Sequence, residues 1–180
     1  MKRHPPNGRR TRPALDERGS AVVEFAYILP MLLIIFLGCS DICMLLERQI
    51  RIIHLSREAA NVYSRGASAE ETLAACTVAD GDLGLDTPLG AVILSRVASD
   101  DFGNPVIVEQ ESTGSLSVTS SVGALPPGGF SAPATLPNGG VLPPFTSLVV
   151  VEMFSQQFAR FPAPGIWDGA TLVLRSVAVF

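Results

Sequence analysis

Residues 20–40, SAVVEFAYILPMLLIIFLGCS, carry one charge, Glu24, in 21 positions. As a helix this run rises about 31 Å, close to the roughly 30 Å of a bilayer's hydrocarbon core. A chain of 180 residues has too little mass to surround such a helix on all sides, so the run reads as a transmembrane helix. Six basic residues (Lys2, Arg3, Arg9, Arg10, Arg12 and Arg18) precede it against Asp16 and Glu17, a net of +4 over residues 1–19. A positive flank of this kind holds the N-terminus in the cytoplasm and sends the rest across. Residues 66–180 hold three Arg against eleven acids, a net of -8. That acidity argues against a nucleic-acid partner, which needs clustered Lys and Arg. It leaves the basic leader as a topology signal.

Two other meanings of the apolar run fit less well. A secretory signal has an apolar region of about 7–15 residues closed by an A-x-A-like site. This run is longer and lacks that site. A lipoprotein signal would use Cys39 after Phe36-Leu37-Gly38. Phe36 fits poorly three places before the cysteine, and the helical pattern continues past it. Cys39, Cys43 and Cys76 form neither a disulfide framework nor a metal-ligand spacing. Cys39 and Cys43, four apart on a helix, have nearly parallel Cβ vectors unsuited to a bridge.

After residue 40 the pattern becomes amphipathic. Ile42, Leu45, Leu46, Ile52, Ile53, Ala59, Ala60 and Tyr63 read as one face, and Glu47, Arg51, His54, Glu58, Asn61 and Arg65 as the other. Glu47 and Arg51 are a favourable i, i+4 pair, and Gly66 is a natural C-cap. The prediction is one helix from about 20 to 65, with Pro30 kinking its membrane half and its amphipathic half, 41–66, offering a stripe to the exported head.

A carboxylate near the start of a membrane helix is costly and marks function or a snorkelling side chain. Gly19-Ser20-Ala21-Val22-Val23-Glu24-Phe25 resembles the processing site of type IV pilin-like proteins, where a peptidase cuts after a glycine ending a basic leader. Glu24 is then the fifth mature residue, and Phe25 fills the aromatic place of the Flp subgroup. With Pro30, Gly38, Ala59-Ala60 and Arg65-Gly66, the stretch Gly19 to Gly66 resembles the TadE-like family, minor pseudopilins of tight-adherence (Flp) pilus machines. The resemblance implies processing at Gly19 and Ser20 and subunit docking through Glu24 and Phe25. It implies as partners the lipid bilayer, a prepilin peptidase and other pilin-like subunits, in a bacterial inner membrane. Asp41, near the outer boundary, departs from a clean span. The pattern does not separate TadE from TadF or TadG-type roles.

In the head, residues 67–82 read as loop with a helical turn. Leu89 to Ala98 reads as a short helix, with Thr87 as N-cap and Pro88 in the first position. The run Val92-Ile93-Leu94 supports a strand there instead. Val106 to Val108, Leu116 with Val118, Leu148 to Val151, Leu172 to Leu174 and Val177 to Phe180 read as strands. The expected fold is α+β: a long N-terminal transmembrane-to-periplasmic helix on a small antiparallel sheet, type IV pilin-like. Residues 123–144 hold eleven Gly or Pro and read as an exposed loop, with Phe130 as a candidate partner anchor. Phe158, Phe161 and Trp167, around Pro162 and Pro164, read as a cap on the core.

Nothing here spells an enzyme. His4 lies in the leader and His54 on the polar stripe, and no phosphate loop is present. Asp80, Asp82 and Asp86 lack the full Ca²⁺-loop pattern. They read, like Asp100 and Asp101, as solvated loop acids. No cofactor, metal or small-molecule substrate is expected. The expected role is a pseudopilin-like subunit, against an uncleaved membrane-anchored binding protein or a Cys39-anchored lipoprotein.

Overall fold

The computed structural model describes residues 15–136, 139, 142–158 and 171–180. Most of the leader with His4, four positions of the Gly/Pro loop, and Phe161, Pro162, Pro164 and Trp167 lie outside the described residues. The chain divides into two compact units, Met1–Ser40 and Asp41–Phe180.

Helix α1 spans Leu15–Ser64 and contains Pro30. It begins five residues before the expected start, since neither Pro nor Gly interrupts the sequence between Pro13 and Gly19. It ends as predicted. Gly66 takes a left-handed φ of 100° and its N–H donates to the Tyr63 carbonyl at 3.2 Å, the conformation glycine adopts without Cβ strain.

Helix α2, Ala69–Ala79, replaces the loop expected over 67–82. Ser68 and Glu71 explain it. The Ser68 hydroxyl accepts from the Glu71 N–H at 3.2 Å, and the Glu71 carboxylate accepts from the Ser68 N–H at 3.1 Å. Two of the helix's orphan donors are thereby satisfied at once.

Five antiparallel strands follow among the described residues: β1 Gly90–Ser99, β2 Pro105–Gly114, β3 Ala132–Pro133, β4 Ser147–Phe158 and β5 Thr171–Val179. They lie in the order β3-β2-β1-β4-β5. The helix expected at 89–98 is therefore a strand, the central one. Val92 and Leu94 face α1 and α2, while Ala91 and Ile93 face the other way into a second cluster. A strand covered on both faces reads as a continuous apolar run, which periodicity alone cannot tell from a buried helix. Thr87 caps no helix. Its hydroxyl donates to the Gly84 carbonyl at 2.7 Å and accepts from the Leu89 N–H at 3.2 Å, closing a turn.

The strand expected at Leu116 and Val118 is also corrected. Residues 115–120 are irregular, and both side chains pack on Ala91, Ile93 and Phe154. Within the described part of the Gly/Pro stretch lies β3, whose two residues pair with Val106 and Ile107.

Two layers of side chains cover the sheet. On one face Ile52, Leu55, Ala59, Ala60 and Tyr63 of α1 and Cys76 of α2 pack on Val92, Leu94, Val151 and Met153. On the other, Val122 and Leu136 from the long β2–β4 connection cover Val97, Ile107 and Val150. Glu152 fastens that connection. Fully buried, its carboxylate accepts from the Ser120 hydroxyl, from the Ser121 hydroxyl at 2.7 Å and the Ser121 N–H at 3.1 Å, and from Arg175 at 2.9 Å.

Candidate assembly site on the N-terminal helix

From Ala21 to Ser40 α1 carries one charge, Glu24, and none of its most apolar stretch is buried. The exposed set includes Val22, Val23, Phe25, Ile28, Leu32, Ile35 and Phe36, with Tyr27 80% exposed. Such a surface is untenable in water and calls for lipid or other helices. The helix is long and apolar enough to cross a membrane.

Glu24 is exposed on this helix. Gly19 and Ser20 are helical, in the second turn of α1. Ser20 and Glu24 are four residues apart, so they share one face. Phe25 stands beside that face, 59% exposed. Pro30 lies one and a half turns further on, inside the helix. Backbone geometry thus places the predicted processing and docking positions in the first three turns of α1.

One acid departs from the expectation of solvated loops. Asp80 is buried, and it accepts from the Leu85 N–H at 3.0 Å. Burial pushes its carboxyl up from the ordinary range, aided by Asp86 and opposed by that bond. Asp100 accepts from the Asn104 amide group at 2.9 Å and from the N–H groups of Asn104 at 2.7 Å and Phe102 at 2.9 Å. These bonds, the Asn104 side chain first, hold its carboxyl below the ordinary range. Glu152 was not singled out in the sequence. The signal available was an acid inside the apolar run Leu148 to Phe154. Among the described residues no group of three His, Cys, Asp or Glu side chains is placed to hold a metal. His54 is exposed.

The three cysteines are free thiols, Cys39 and Cys43 exposed and Cys76 buried. Burial pushes the Cys76 thiol up to about 11, with Glu58 and Asp80 adding to the shift. Phe130 is almost fully exposed, as an anchor requires, whereas Phe158 is half-exposed and caps little.

The second half of α1 departs from the single apolar face read in the sequence. Ile52, Leu55, Ala59 and Tyr63 turn into the core, whereas Ile42, Leu46 and Ile50 stay exposed at 53%, 57% and 56%. The apolar band is wider than the sheet beneath it.

No curated protein and no solved structure matches the chain. A family model, described as TadE-like protein, matches residues 19–61. That stretch opens at Gly19, takes in Glu24, Phe25 and Pro30, and runs into the turns of α1 that pack on the sheet. Over those 43 of the 180 residues the N-terminal helix of this chain is similar to the TadE-like family.

Proposed function

We propose that the chain is a minor pseudopilin-like structural subunit that aids assembly of a Flp (tight-adherence) pilus or a related secretion machine, and that it is no enzyme. The observation that carries this reading is an apolar helix, exposed on all sides, broken by one carboxylate five places after Gly19, within the TadE-like stretch. In this reading residues 1–19 stay cytoplasmic, residues 20–40 cross the bacterial inner membrane once, and the domain carrying the sheet is exported.

A prepilin peptidase cuts after Gly19 and leaves Ser20 with a new α-amino group. That cation pairs with the Glu24 carboxylate of a neighbouring pilin-like subunit. Each charge then recovers in the membrane much of the solvation it has lost. Phe25 packs beside the pair and Pro30 bends the helix after it. Because the pair needs one cation opposite one anion, it fixes one axial register between subunits.

The test is the intact mass and N-terminal sequence of the full protein purified from its own membranes. A start at Ser20 is expected. A start at Met1 would leave an uncleaved anchored binding protein, and a lipid on Cys39 would make it a lipoprotein. Docking is tested separately: Glu24→Gln assembling as well as the parent chain would remove Glu24 from the mechanism.

A further inference from the structure

Between α1 and the turn that follows α2 lies a cavity of about 210 Å³, lined by Met44, Glu47, Arg48, Arg51, Asp82 and Leu83. All six belong to the compact unit Asp41–Phe180. Polar bonds tie its walls together. The Arg48 guanidinium donates to the Gln157 Oε1. The Gln157 amide donates to the Ser155 hydroxyl at 2.6 Å, and that hydroxyl donates to the Leu83 carbonyl at 2.6 Å. Gln157 and Ser155 are buried, so α1 and the turn keep a fixed spacing across β4. Gly81 brings the turn against α1: a Cβ there would stand 3.1 Å from the Arg51 Nη1.

The charges around this cavity are incompletely matched. Glu47 and Arg51 pair with each other at 3.4 Å, on an exposed face where such a pair contributes little. Arg48 is partly buried and meets only the neutral Gln157, with no carboxylate partner among the described residues. It has given up hydration without an anion in return. Asp82 is exposed and makes no hydrogen bond or ion pair among the described residues. Arg48 and Asp82 stand on different walls and do not pair with each other. A bare anion on Arg48 would face the charges of Asp82 and Glu47, and a bare cation on Asp82 would face both arginines. A ligand that satisfies both walls carries an anion and a cation on a short spacer.

Position along α1 selects the source of such a zwitterion. At 1.5 Å per residue Met44 stands about 6 Å beyond Ser40 and Arg48 about 12 Å beyond it. The polar layer of a bilayer adds roughly 5–7 Å to each side of the hydrocarbon. Helical side chains lean toward the N-terminus, which draws the Arg48 and Arg51 heads back toward that layer. The volume is below the roughly 300 Å³ at which pockets for drug-sized ligands begin, and it suits a small head group. We propose that the cavity binds the phosphoethanolamine head group of a membrane phospholipid, its phosphate on Arg48 and Arg51 and its ammonium on Asp82 and Glu47. The site rests on the reading that residues 20–40 cross a bilayer, and not on cleavage after Gly19.

The experiment melts the full-length chain in a nonionic detergent with dioctanoyl phosphatidylethanolamine, phosphatidylglycerol or phosphatidylcholine, or with free O-phosphoethanolamine. Phosphatidylethanolamine, at about tenfold over its dissociation constant, is expected to raise the melting midpoint by about 3–6 °C. Phosphatidylglycerol lacks the ammonium, and the ammonium of phosphatidylcholine has no N–H to donate. Each should give less than half that shift. Arg48→Gln should abolish the shift, but it also disturbs Gln157, so a second variant carries the test. Asp82→Lys changes an exposed side chain without a bond and should turn the preference over to phosphatidylglycerol. Equal shifts from the three lipids, or an Asp82→Lys chain that keeps the parent's preference, would overturn the proposal. A shift from free O-phosphoethanolamine as large as that from the lipid would overturn the membrane source. Membrane residence is read separately in the pellet after an alkaline wash. A chain that pellets yet shows no lipid preference refutes the head-group site alone, and one that leaves the pellet refutes the membrane reading beneath it.

Discussion

At the scale of single residues, the buried charge of Glu152 is the most consequential side chain outside α1. It lies on β4 with no exposure, and its acceptor sites are filled by Ser120, Ser121 and Arg175. Replacing it by Ala would strand the Ser121 N–H and leave Arg175 without its partner. Because Arg175 is 46% exposed, water recovers part of that loss. Glu152→Ala should cost about 2–4 kcal/mol, read as a lower denaturation midpoint. Glu152→Gln, which keeps an acceptor, should cost roughly half as much. An Ala variant as stable as the parent would mean that the β2–β4 connection is held by its apolar contacts alone. Cys76 gives a prediction in pH. Its thiol titrates near 11 in the fold against an ordinary 9.0. A raised value means that the folded state favours the protonated form. The stability this contributes is complete below pH 9 and is lost as pH climbs through 11. Cys76→Ser should flatten that alkaline decline in thermal melts between pH 8 and 11. Alkylation at neutral pH should reach Cys39 and Cys43 but spare Cys76.

Single elements show where the sequence was readable and where burial erased the signal. The polar stripe from Glu47 to Arg65 marked the amphipathic half of α1 because one side of that half faces water, and Glu47 and Arg51 do pair, at 3.4 Å. Gly66 marked its end because the turn there needs a left-handed residue. β1 was misread because both its faces are covered: Val92-Ile93-Leu94 alternates between two cores, so nothing polar betrays the period of two. The apolar band of α1 was read as one face because hydrophobicity alone does not reveal that the sheet covers only part of its width. α2 was missed for a different reason. Its short Ala- and Thr-rich sequence carries little apolar pattern, and the legible feature was the spacing of Ser68 and Glu71. That spacing makes its own prediction. Ser68→Ala removes the acceptor for the Glu71 N–H and should cost about 1 kcal/mol. The loss should appear first as faster amide exchange over residues 69–73, at the uncapped end. Unchanged exchange there would assign the stability of α2 to the packing of Cys76 and Ala69 instead.

For the whole molecule, the membrane helix and the TadE-like stretch were legible in the sequence because no other environment tolerates so long an apolar run and because the glycine-to-glutamate spacing is short and local. Insertion and the proposed docking through the same run separate energetically. Each Leu, Ile, Phe or Val near the centre of a membrane helix favours insertion by about 0.3–0.6 kcal/mol, and one Arg there opposes it by about 2.5–3.5. The ten such residues between Val22 and Phe36 therefore contribute on the order of 5 kcal/mol toward insertion. Leu33→Arg alone removes about 3 of these and should leave most of the chain in the membrane pellet after an alkaline wash. Leu33→Arg with Ile34→Arg removes about 6, exceeds the total, and should move most of the chain into the supernatant or to degradation. Glu24→Gln lies on the other axis. It relieves a charge near the helix start, so insertion should be unchanged or slightly improved, while assembly with neighbouring subunits falls. A Glu24→Gln chain that inserts and assembles normally would reduce the carboxylate to a tolerated snorkelling group. One that fails to insert would mean that Glu24 acts on topology before any partner is met.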